Sequence, residues 1–151
     1  MDILVIEDEP LVREAIARDL REAGFNATEA ANAETALMMA EEAAADSAPP
    51  SIIVTSLHLG PSVDGLALGA EMLRRWPETG VVYITRQPDM LEGRLLGPRE
   101  HYLLKPVARE TLLHAVRSLM PAWAPGLTTP LVALASAVAT TLGLATARGR
   151  S

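Results

Sequence analysis

The chain alternates short runs of β-branched and aliphatic residues with segments of helical period, and this alternation limits its fold more than any single residue does. Ile3-Leu4-Val5-Ile6 is a continuous apolar run and reads as a strand buried on both faces. From Pro10 to Ala23, Leu11, Ile16 and Leu20 recur at helical spacing among Arg and Glu, and Gly24 ends the helix. Phe25–Glu29 reads as a weak second strand. Asn32 caps an alanine-rich helix over Glu34–Ala45, stopped by Ser47-Ala48-Pro49-Pro50. Ile52–Val54, Val81–Ile84 and Tyr102–Leu104 supply the third, fourth and fifth strands. Asp64 caps a third helix through Leu66, Ala70 and Leu73, ending near Trp76-Pro77. A short fourth helix is expected near Pro88–Leu96, and a fifth from Arg109 to Leu119. Strands separated by helices in this way make a parallel sheet covered on both faces.

Charge divides the chain in two. Residues 1–120 carry eleven bases against nineteen acids, a net of −8, whereas the last 31 residues hold only Arg148 and Arg150. With Pro121, Pro125 and Pro130 at the change, the reading is one domain over 1–120 and an uncharged extension over 121–151. A formal net charge of −6 and 3% aromatic residues argue against a nucleic-acid binder, and the absence of cysteine excludes thiolate metal sites and thiol nucleophiles. The N-terminus has no basic stretch ahead of an apolar one, so no secretory signal is expected and the module reads as cytoplasmic.

In open parallel sheets ligands gather beyond the carboxyl ends of the strands. There stand Glu7 and Asp8 after the first strand, Ser56 after the third, Thr85 after the fourth and Lys105 after the fifth. Together with the loop Leu57-His58-Leu59-Gly60-Pro61-Ser62-Val63-Asp64-Gly65, the Lys105-Pro106 pair and Tyr102 three residues before the lysine, these residues resemble a response-regulator receiver domain over about residues 1–120. The resemblance implies a flavodoxin-like, doubly wound, five-stranded parallel sheet of order 2-1-3-4-5. It also implies a role in two-component phosphorelay signalling, with no turnover of a separate substrate. In that family an aspartate after the third strand takes a phosphoryl group from a histidine kinase, with Mg²⁺, a lysine and a hydroxyl on the phosphate oxygens. Thr85 stands at the hydroxyl position, and Tyr102 at that of the aromatic that swings inward when the hydroxyl moves.

Two departures alter that expectation. The phosphoacceptor position, eight residues before Asp64-Gly65, is Ser56, flanked by Thr55, Leu57 and His58 with no acid beside it. A serine hydroxyl is protonated at neutral pH, and no base is evident to activate it. Mg²⁺ would then rest on Glu7, Asp8 and the backbone carbonyl near His58 alone, and is expected to bind weakly. The residue after Thr85, small in the family, is Arg86, which either blocks the donor or itself neutralises Glu7 and Asp8. Lys105, the sole lysine among thirteen basic residues, either survives as a functional ammonium or pairs with Asp8 for stability.

The resulting expectation is a pseudo-receiver that binds a histidine kinase, a phosphotransfer protein or another signalling protein. Contact would run through the face made by helix four, strand five and helix five. The alternatives are an active receiver using Ser56 or a partner's residue, and a membrane-tethered receiver. The last rests on Leu127–Ala147, twenty-one uncharged residues that Pro130 interrupts and in which Thr, Ser, Gly and Ala dominate.

Overall fold

The computed structural model describes residues 2–60, 64–87 and 96–120. Its elements run β1 (Ile3–Ile6), α1 (Pro10–Glu22), β2 (Ala27–Ala30), α2 (Ala33–Asp46), β3 (Ile52–Ser56), α3 (Asp64–Arg75), β4 (Gly80–Thr85), β5 (Glu100–Leu104) and α4 (Arg109–Leu119). The strands form one sheet in the order β2-β1-β3-β4-β5, and every neighbouring pair is parallel. This is the flavodoxin-like order expected. Most of the helix expected near Pro88–Leu96 and all of the 121–151 extension lie outside the described residues, so the helix expected as fifth is α4.

The apolar runs become the middle of the sheet for the reason that marked them in the sequence. All four residues of β1, all six of β4 and all five of β3 are buried, because helices lie over both faces. α2 packs beside α3, and α1 beside α4. Leu4, Ile6, Ile53, Val81 and Tyr83 meet Ala36 and Ala40 of α2 and Leu68 and Met72 of α3 in one core. α1 buries Ile16, Ala17 and Leu20, and α4 buries Leu112, Val116 and Leu119. Each such Leu or Ile contributes roughly 1.5–3 kcal/mol when fully removed from water. Asn32 caps α2 as expected, its side-chain oxygen accepting the Thr35 amide at 2.8 Å.

Element edges differ from expectation where polarity masks them. β3 runs two residues past its apolar stretch to Ser56, and β5 begins at Glu100 rather than Tyr102. β2 begins at Ala27, with Phe25 buried ahead of it. Asp64 is the first residue of α3 rather than a flanking cap. Among the described residues β5 is a sheet edge, paired only with β4, and Tyr102 and Leu104 on it are exposed.

Candidate functional site

The parallel register delivers Glu7, Ser56, Thr85 and Lys105 to one end of the sheet. There they line a cavity of about 290 Å³ together with Asp8, Glu9, His58, Gly60, Arg86 and Gln87. Ser56 is buried as the last residue of β3, and its backbone rather than its side chain sets where α3 starts. A Cβ at Gly65 would overlap the Ser56 carbonyl, so only glycine lets the first turn of α3 close onto the end of β3. The Gly65 amide donates to the Leu57 carbonyl at 3.1 Å and completes that seat.

Lys105 is the centre of the cavity. Its backbone amide donates to the Thr85 carbonyl at 2.9 Å, continuing the β4–β5 ladder, and the Lys105–Pro106 peptide is cis. Its ammonium donates to Glu7 Oε1 at 2.8 Å and to Ser56 Oγ at 3.1 Å. The lysine side chain is 8% exposed and that of Glu7 0%, so this is a buried ion pair. Glu7 Oε2 accepts the Glu9 amide at 3.1 Å, and the Glu7 carbonyl accepts Arg13 Nη1 at 2.8 Å. Arg13, half-buried on α1, also reaches Glu29 of β2 at 3.3 Å. Of the two alternatives for Lys105, the stabilising one named Asp8 as its partner. Glu7 takes that place because it is the buried member of the acidic pair, whereas Asp8 is exposed and accepts the amide of Gly60 at 3.0 Å. Gly60 has a positive φ of 75°, which glycine adopts freely.

Of the two alternatives for Arg86, neutralisation of Glu7 and Asp8 is not what the structure shows. Its guanidinium neither reaches Glu7 nor Asp8; it stands 3.9 Å from Glu9 Oε1 and is 66% exposed. The buried carboxylate is neutralised by Lys105, which left Arg86 at the rim. Thr85 is buried with its hydroxyl oxygen accepting the Gln87 amide at 2.8 Å. Tyr102 is 47% exposed, on the outer strand away from the cavity lining. His58 lines the cavity, while His101 and His114 are exposed elsewhere. Nothing in the spacing of the sequence signalled the roles of Arg13, Gly60 and Gln87, which depend on the folded loops.

Residues 3–117 match the family model described as the response regulator receiver domain. The chain belongs to that family. The positive alginate biosynthesis regulatory protein of Pseudomonas aeruginosa is 31% identical over 120 residues, covering 78% of this chain and 46% of that protein. Among solved structures, the receiver domain of NtrX from Brucella abortus is 31% identical with a TM-score of 0.60, covering 78% of this chain and 98% of that one. The receiver domain of the hybrid histidine kinase CckA is 28% identical with a TM-score of 0.63, covering 80% and 100%. The chain spans about half the length of the curated relatives it matches, 46% and 48% for the first two. As a receiver, it is a component of two-component signalling.

Receivers use Mg²⁺, a hard ion that takes about six oxygen ligands, of which one or two are usually carboxylates and several are waters. Here the donors at hand are Glu7, Asp8, the Ser56 hydroxyl and a carbonyl near His58. Glu7 is already matched in charge by Lys105 and Ser56 brings none, so Asp8 is the one unneutralised carboxylate of the expected set. Among the described residues no group of three or more His, Cys, Asp or Glu side chains is placed to hold a metal ion. The residues that would hold the ion are Asp8, Glu7 and a carbonyl near His58, with a single uncompensated carboxylate among them. No helix among the described residues is long and apolar enough to cross a membrane; the 127–147 segment lies outside them.

Proposed function

We propose that this receiver works as a pseudo-receiver, binding a histidine kinase, a phosphotransfer protein or another signalling protein in the cytoplasm without accepting a phosphoryl group at residue 56. One observation carries the reading: the Lys105 ammonium is shared between a neutral hydroxyl, Ser56 Oγ at 3.1 Å, and the carboxylate of Glu7 at 2.8 Å. In an active receiver the lysine faces the nucleophile and the incoming phosphate. Here it is occupied by an internal counter-ion, and the hydroxyl beside it is next to a cation rather than a base. A neighbouring ammonium does not deprotonate serine. A phosphoryl oxygen would share the ammonium with Glu7, whose charge already offsets that of the lysine, so the pair offers an incoming phosphate little net positive charge. Output then depends on which surface is presented. The exposed Tyr102 and Leu104 of β5 support contact through the face that β5 shares with α4.

The test is intact mass after incubation with acetyl phosphate or a phosphorylated kinase, with and without Mg²⁺. The native chain is expected to remain unmodified. An acid-stable adduct on Ser56 would overturn the reading in favour of an active receiver. Ser56→Asp with Arg86→Gly should acquire an acid-labile adduct; Ser56→Asp alone should acquire it more slowly, because the exposed Arg86 overhangs the mouth. Equal partition of full-length protein and a 1–120 truncation on fractionation is expected, and a membrane pellet of the full-length chain alone would favour tethering.

A further inference from the structure

One buried polar group takes no part in the cavity. Tyr83 sits in the middle of β4 with 0% exposure, its ring against α3 at Gly69, where a Cβ would overlap the phenol. Its hydroxyl donates to Glu100 Oε2 at 3.1 Å, and Glu100 Oε1 accepts the Gly97 amide at 2.8 Å. One phenol and one carboxylate thereby tie α3, β4 and the entry to β5 into a line. The β4–β5 register sets Tyr83 opposite Tyr102, and Thr85 follows Tyr83 by two residues, so the three side chains share a face of the sheet. Yet Tyr102 points to solvent, and Thr85 Oγ1 is taken by the Gln87 amide.

β5 is held by strand pairing on one side only and buries little of itself, which places it among the segments that open most easily. A carboxylate with both oxygens engaged is the strongest tether such a strand can have to the core, because charge-assisted hydrogen bonds are about twice as strong as neutral ones. We infer that Tyr83 and Glu100 form an internal strut that fixes the start of β5 and holds Tyr102 outward, so that this edge is presented in one conformation with no phosphoryl group at residue 56. The strut stands on the geometry alone; the phosphorylation-free half rests on the pseudo-receiver reading.

The chain has two tyrosines, so fluorotyrosine labelling of Tyr83→Phe reports Tyr102 alone, and Tyr102→Phe assigns the remaining signal. Amide exchange is followed in parallel on the full chain. In Tyr83→Phe, exchange at Gly97 and through Glu100–Leu104 should rise about five- to tenfold, the worth of one net hydrogen bond, with β1 unchanged. The Tyr102 resonance should broaden or split. Glu100→Gln keeps an oxygen for the Gly97 amide and can donate its Nε2–H to the Tyr83 hydroxyl, so it removes only the charge assistance and should shift the same amides less. Gly69→Ala pushes the phenol off Glu100 without removing a polar atom and should reproduce the Tyr83→Phe pattern. Exchange within twofold of wild type together with a single unmoved Tyr102 resonance would overturn the strut. Should a core variant fail to fold, Glu100→Ala at the start of β5, which removes both acceptors, decides alone. An adduct on native Ser56 would sink the phosphorylation-free half and leave the exchange pattern standing.

Discussion

Lys105→Met tests the charge arrangement of the cavity most directly. It removes the only ammonium near a carboxylate that is 0% exposed, leaving Glu7 with the Glu9 amide at 3.1 Å as its remaining side-chain hydrogen bond. Deleting one partner of a buried pair costs about 3–5 kcal/mol, because the other charge stays behind without compensation. Loss of the Ser56 contact adds about 1 kcal/mol. A domain of this size unfolds with an entropy of about 0.25 kcal/mol/K, so a loss of about 4–6 kcal/mol lowers Tm by roughly 16–24 °C. Glu7→Gln with Lys105→Met removes both charges and should cost only about 1–2 kcal/mol, since a neutral amide is far cheaper to bury than a lone charge. The cycle should therefore give a coupling of at least about 2 kcal/mol. Urea unfolding followed by far-UV circular dichroism at pH 7 measures all four proteins, with unchanged m-values required for the comparison. A Lys105→Met cost below about 1 kcal/mol, or additive single-site costs, would refute the self-neutralised cavity and with it the argument that the lysine's charge is already offset by an internal counter-ion.

Other perturbations follow from the same geometry. Gly65→Ala drives a methyl into the Ser56 carbonyl and should destabilise by about 1–3 kcal/mol or more in thermal unfolding. Leu4→Ala, in the middle of the sheet, should cost about 2–5 kcal/mol in urea, whereas Leu11→Ala, whose side chain is exposed, should stay within about 0.5 kcal/mol. On the surface of α3, the hydrogen bond from Arg74 holds the Glu71 carboxyl below the ordinary glutamate value of 4.5. A depressed folded-state value stabilises above the unfolded one and is lost as pH falls through it, so the contribution of this pair should fade only below about pH 4.5. Carbon-detected titration should show Glu71 moving up to its ordinary range in Arg74→Gln.

Legibility followed apolarity. β1, the core of β3 and most of β4 were readable because strands covered on both faces are apolar on both faces. β5 was half hidden because an edge strand tolerates Glu100 and His101, and what makes them a strand is pairing with Val81 and Val82. Ser56 and Thr85 were legible as residues at the strand ends that line the cavity, being polar at the ends of apolar runs, but the sequence did not show that both lie within the strands. Which acid meets Lys105 was not legible either. Glu7 and Asp8 are adjacent in the chain, and only the pleat decides that one turns inward while the other meets solvent. The Tyr83–Glu100 pair spans 17 residues with no motif, and polar Glu100 at an edge gave no hint that its oxygens face inward.

The seating of α3 on main-chain atoms has a lasting consequence. Because Gly65 abuts the carbonyl of residue 56 and the Leu57 oxygen, the scaffold never consults what that residue bears on its Cβ. Reactive chemistry at this spot is thus separable from folding. A lineage can shed it, or regain it, by changing one side chain and the charges facing it, while the architecture that partners grip stays as it was.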